Sequence, residues 1–74
     1  MKTCTIEQLE KLKEKGFKIK GPLINDQLNY AICSAGIFIN LQHGLSEQEE
    51  ITARVDVLIW LVDNQNLNPE RIKF

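Results

Sequence analysis

Apolar positions along the chain fall into three periodic runs separated by glycines. In the first, Ile6, Leu9 and Leu12 recur at threefold spacing among Lys and Glu, a narrow stripe on one helix face. Thr5-Ile6-Glu7-Gln8 fits a capping box, with Thr5 as N-cap and Gln8 reaching back to it. Gly16 supplies the left-handed position that stops a helix, and Phe17 follows where it can pack back on Leu12. Helix 1 is therefore predicted at about 6–15. Phe17-Lys18-Ile19-Lys20 then alternates as a short extended linker, which Gly21-Pro22 ends.

The second run is predicted to be a helix over about 26–43, capped by Asn25 or Asp26 and stopped at Gly44. At 100° per residue, Leu28, Ala31, Ile32, Ala35, Phe38 and Ile39 share one arc, and Tyr30, Cys33, Ile37 and Leu41 share the opposite one. The third run opens with a second capping box, Ser46-Glu47-Gln48-Glu49, and three acids in the first turn: Glu47, Glu49 and Glu50. This predicts helix 3 at about 47–65. Ile51, Val55, Leu58, Ile59 and Val62 form one stripe; Ala53, Val57, Trp60, Leu61 and Leu67 form another. Asn68-Pro69-Glu70 reads as an N-cap with Pro at the first position of a last short turn. Residues 35–41 and 55–62 also fit strand alternation, being rich in β-branched side chains. The caps and the distance between stops favour helix.

The fold class that results is all-α: one domain, residues 1–74, of three helices, with helices 2 and 3 as an antiparallel hairpin. Leu28, Ile32, Ala35 and Ile39 would meet Ile51, Val55, Leu58 and Val62 across it. Helix 1 offers too few apolar residues to cover the second face of both long helices. The expectation is that oligomerisation completes the fold, through Tyr30, Ile37, Leu41, Val57, Trp60 and Leu61.

Composition sharpens this picture. At 74 residues, 43% hydrophobic and 26% charged, the chain is that of a small globular domain with little interior to spare for a deep catalytic cleft. A core of this size seldom supplies more than roughly 3–5 kcal/mol, so small domains enlist disulfides, metals or association. The first twenty residues are rich in Lys and Glu and lack the apolar stretch of a signal peptide, so Cys4 and Cys33 are expected to be reduced thiols in a cytoplasm. One His and no CxxC or HxxxH spacing leave no metal site. No cofactor motif is present, and no apolar run is long enough to span a membrane.

Candidate chemistry is sparse. Cys33 and His43, ten residues apart on one predicted helix, would be separated by about 15 Å and could not act together. Cys33 reads as a small hydrophobe, and His43 as a cation at the helix C-terminus. Glu47, Glu49 and Glu50 are explained by capping and the helix dipole. Thr52, Asp56 and Asp63 line one face as a solvated strip or a polar seam. A helix-turn-helix at Gly44 is disfavoured, because those three glutamates would meet phosphates where a recognition helix enters the groove.

Charge is uneven, with net +3 over residues 1–20 and −4 over the rest. Lys11, Lys13, Lys15, Lys18 and Lys20 form a strip that could touch phosphates, although it holds no Arg and only Phe17 as an aromatic. The leading expectation is a non-enzymatic, self-associating regulatory or inhibitory adaptor of the bacterial or phage accessory type, binding a protein partner through an apolar helical surface. The alternatives are a nucleic-acid-associated protein using the lysine strip, or an oligomer sequestering a small ligand between subunits.

Overall fold

A computed structural model of the chain describes residues 2–74. Three α-helices follow in order, α1 (Ile6–Glu14), α2 (Asn25–Ser34) and α3 (Glu47–Gln65), then a 3-10 turn over Pro69–Arg71. No strand forms among the described residues, and the fold is all-α. Two capping boxes set the starts of α1 and α3. The Gln8 amide donates to Thr5 Oγ1 (3.1 Å) and Thr5 N donates to Gln8 Oε1 (2.9 Å). Ser46 and Glu49 repeat the arrangement at 3.2 and 2.9 Å. Asn68 caps the final turn through Glu70 N at 3.1 Å, with Pro69 next to it.

Glycines stop α1 and α2 by the same device. Gly16 takes φ 102°, its N–H bonds Lys13 O (3.0 Å), and Phe17 N–H bonds Leu12 O (3.1 Å). This is the Schellman pattern, and it brings Phe17 back over the helix as the sequence predicts. Gly36 takes φ 82°, its N–H bonds Cys33 O (2.9 Å), and Ile37 N–H bonds Ile32 O (3.3 Å). Helix 2 therefore ends at Ser34 instead of near His43, a correction of nine residues. The helix start differs too. Ile24 is the flanking residue, held by Gln27 Oε1 accepting from Ile24 N at 2.9 Å, while the Asn25 side chain turns to α3.

The short α2 changes the topology. Asn25, at its first turn, donates to Glu50 Oε1 (3.0 Å) and accepts from Arg54 Nη1, both early in α3. At its other end Ala35 shares a groove with Leu61, late in α3. The two helices thus run in the same sense, which corrects the antiparallel hairpin. Residues 35–46 make the return; extended, twelve residues reach up to ~40 Å, well beyond the ~15 Å of α2. Helix α1 shares this sense. Gln8 Nε2 donates to Thr52 Oγ1 (2.9 Å) near one end and Lys15 Nζ pairs with Asp63 (2.8 Å) near the other. An antiparallel bridge between Thr3 and Ile24 joins the chain entering α1 to the chain entering α2. All three helix N-termini lie at one pole.

The core draws on every segment. Leu12 of α1, Leu28, Ala31 and Ile32 of α2, and Ile51, Val55 and Leu58 of α3 are buried, as the stripes predict. Phe17, Leu23 and Ile72 are buried with them from the connections and the C-terminal end. Phe74 meets Phe17 edge-on, with ring centroids 5.9 Å apart. Ile37 and Ile39 are half-buried against the same core. Connecting segments therefore cover much of the second helical faces.

Candidate interaction surface

The surface of interest begins where α2 stops. With Gly36 left-handed, the chain leaves the helix and runs on with strand-like alternation. Ile37, Ile39 and Leu41 are half-buried, whereas Phe38, Asn40 and Gln42 are exposed. Phe38 becomes the most exposed large apolar residue, at 85%. Its expected place, on the core arc of a continuous helix, is corrected by this exit.

Ile37 lies beside Trp60 and Leu61 of α3 in a groove of about 500 Å³, completed by Ala35, Gln65 and Leu67. Three of the six expected association residues, Ile37, Trp60 and Leu61, are thus brought together. Leu61 is 3% exposed and belongs to the groove floor, while Trp60 is 52% exposed and stands at its side. Val57 and Leu41 are half-buried, and Val57 packs on the core. Tyr30 projects from α2 at 68% exposure. The groove walls are apolar apart from Gln65.

The expected lysine strip divides. Lys15 is tied to Asp63 by two contacts, 2.8 and 3.0 Å, so its charge is matched. Lys11 and Lys13 are exposed on α1. Lys18 and Lys20 line a separate cleft of about 470 Å³ with Lys73, over Leu23, Ile72 and Phe74, and Glu70 sits in the same wall. Lys73 was not part of the expected strip. Only the fold brings it near Lys18, since 55 residues separate them in the chain.

Polar candidates elsewhere hold the fold together. Thr52 and Asp63 form the seam with α1 inside one chain. Glu47 accepts from Lys2 N at 3.1 Å and Glu50 accepts from Asn25. The backbone and hydroxyl hydrogen bonds from Ser46 hold the Glu49 carboxyl below its ordinary range. His43 is exposed in a turn before Gly44 and caps no helix, because α2 ended before it. Cys33 is half-buried on α2, and Cys4 is buried, where desolvation raises its thiol above the usual value. Among the described residues no three His, Cys, Asp or Glu side chains gather as a metal site. No helix is long and apolar enough to cross a membrane.

Comparison with known proteins found no matching family model, no matching curated protein and no matching solved structure.

Proposed function

We propose that the protein is a self-associating protein-binding module that works by occupying a surface, not by catalysis. The observation that carries this reading is the groove between Ala35-Gly36-Ile37 and α3, with Trp60 at its side and the bare ring of Phe38 next to Ile37 in the chain. A small domain gains stability by burying aromatic side chains, and aromatic residues beside an apolar groove are the usual anchors of interfaces. Glu47, Glu49, Glu50, Thr52 and Asp63 are engaged in hydrogen bonds at the helix starts and along the α1–α3 seam. The free thiols suit the reducing environment of a cytoplasm. A role in regulating or inhibiting a partner follows from occluding that partner's surface.

Trp60 is the one tryptophan of the chain, so its emission reports the groove directly. Sedimentation and light scattering across micromolar concentrations should show a dimer or larger, with Trp60 emission shifting to the blue as association proceeds. Trp60→Ala should weaken association by about 2 kcal/mol, roughly thirtyfold. Lys13→Ala, on the exposed side of α1, should leave it unchanged. A monomer at every concentration, with Trp60 emission constant, would remove the self-association reading. Salt-sensitive binding of DNA by that monomer would point instead to the cleft of Lys18, Lys20 and Lys73.

A further inference from the structure

The connection after α2 carries a second signal, in its backbone. Phe38, Ile39, Asn40 and Leu41 make no hydrogen bond through main chain or side chain among the described residues, whereas the flanking Ile37 N–H is held by Ile32 O. The side chains nonetheless alternate between half-buried and exposed as on a strand. The sequence here, Ile-Phe-Ile-Asn-Leu, has high strand propensity. A row of unpaired N–H and C=O groups on such a segment is a template for pairing with another strand.

Soluble proteins guard exposed edges with Lys, other charges, Pro or a covering element. None of these protects this one. From Gln27 to Ser46 the chain contains no Asp, Glu, Lys, Arg or Pro, although a quarter of all its residues are charged. A neutral strand meets least opposition from an equally neutral one, and a copy of itself brings no like charges into register. We propose that residues 37–41 pair antiparallel with the same segment of a second copy, forming a two-stranded ribbon across a two-fold axis.

Centring the axis at Ile39 sets the register. Ile39 faces its own counterpart, Ile37 faces Leu41 and Phe38 faces Asn40 of the second copy. The half-buried Ile37, Ile39 and Leu41 then share one face of the ribbon, where Ile37 and Ile39 pack on the core, and Phe38 and Asn40 share the other. A two-stranded ribbon is marginal alone but gains from an apolar face packed on a body beneath it. This inference rests on the self-association proposed above and specifies its geometry.

The test places charges at two exposed positions that make no hydrogen bond among the described residues, and circular dichroism of each variant checks that its helices are kept. Phe38→Lys with Asn40→Lys places like charges opposite each other twice across the ribbon and should raise the dimer dissociation constant at least about tenfold. Phe38→Glu with Asn40→Glu should do the same. A one-to-one mixture of the two variants should recover a heterodimer. In the wild type, amide exchange at Phe38 and Asn40, the N–H groups that this register turns to the second strand because Ile37 N–H is already held by Ile32 O, should slow at high protein concentration and return to fast exchange on dilution. A wild-type dimer that Trp60→Ala disrupts, but whose Phe38 and Asn40 amides stay fast and whose lysine variant associates normally, overturns strand pairing and leaves the association reading standing. A wild type that never associates overturns both.

Discussion

Gly16→Ala places a methyl group where backbone and packing both resist it, and Gly36→Ala separates the two effects. Gly16 sits at φ 102° and Gly36 at φ 82°, conformations that L side chains seldom adopt. That backbone penalty is of the order of 1–2 kcal/mol at either site. Packing differs between them. A Cβ at Gly16 would lie 2.9 Å from Pro69 Cγ, closer than carbon atoms approach without displacement, whereas a Cβ at Gly36 meets nothing within 4 Å. Pro69 opens the 3-10 turn that Asn68 caps and that Ile72 N–H closes on Pro69 O, so displacing its ring disturbs that turn. Overpacking of this kind adds about 1–3 kcal/mol. Gly36→Ala should therefore cost roughly 1–2 kcal/mol and Gly16→Ala roughly 2–5 kcal/mol. In a domain of this length each kcal/mol lowers Tm by about 4–8 °C, so the two variants should melt well apart. Thermal and urea melts followed by helix circular dichroism, at concentrations low enough to keep one species, measure the difference. Pro69→Ala should return part of the excess at Gly16 and none at Gly36. Equal costs at the two glycines, or no recovery with Pro69→Ala, would refute the Pro69 contact and with it the docking of the C-terminal turn against the end of α1.

Three further outcomes follow from burial and titration. Leu28→Ala, at a fully buried α2 position, should cost about 2–5 kcal/mol, read as a lower midpoint in a urea titration. The two thiols should react with a disulfide reagent in separate phases, Cys33 first and Cys4 only on opening; since burial raises the folded Cys4 pKa, stability should also fall as pH climbs past the unfolded thiol value. Glu49 has its folded pKa lowered, so its capping contribution is present above the unfolded glutamate value and lost as pH falls through the folded one; Glu49→Gln, which keeps an acceptor, should flatten that part of an acid titration of stability.

Local chemistry made much of this fold legible in advance. Both side-chain capping boxes, the Gly16 stop with Phe17 behind it, and the Asn68-Pro69 turn are short-range motifs whose partners lie within a few residues, and each forms as the sequence predicts. At α2 two local signals conflict, a glycine stop and a continuing apolar period. Ala35-Gly36-Ile37 has the same pattern as Lys15-Gly16-Phe17, a glycine followed by a large apolar residue, and it folds into the same hydrogen-bonded stop. The apolar residues beyond Gly36 satisfy helical and strand periodicity alike, and periodicity carried the helix through. Once α2 is ten residues long, a return segment is required and the sense of α3 relative to α2 reverses. The groove follows from that exit, which sets Ile37 beside Trp60 instead of on the far side of a helix. The cleft holding Lys18 and Lys73 is a property of tertiary structure alone, and no local pattern announces it.

Helices with two apolar faces call for a cover, and Phe17, Leu23, Ile37, Ile39 and Ile72 supply much of it from the connections. What remains is narrower and places a stronger demand on a partner. Covering α3 with an extended segment relocates the unpaired surface onto the segment itself: its inward side chains are spent on the core, and its outer side chains and backbone bonds are left over. Parallel helices joined by extended returns produce such edges repeatedly. The first return, Phe17–Leu23, carries Lys18, Lys20 and Pro22, and ends in the bridge of Ile24 to Thr3, so charge, proline and pairing all guard it. The second return has the same alternation with no Asp, Glu, Lys, Arg or Pro and, among the described residues, no bridge. The contrast between two connections of similar design within one chain is the reason to place association on the second.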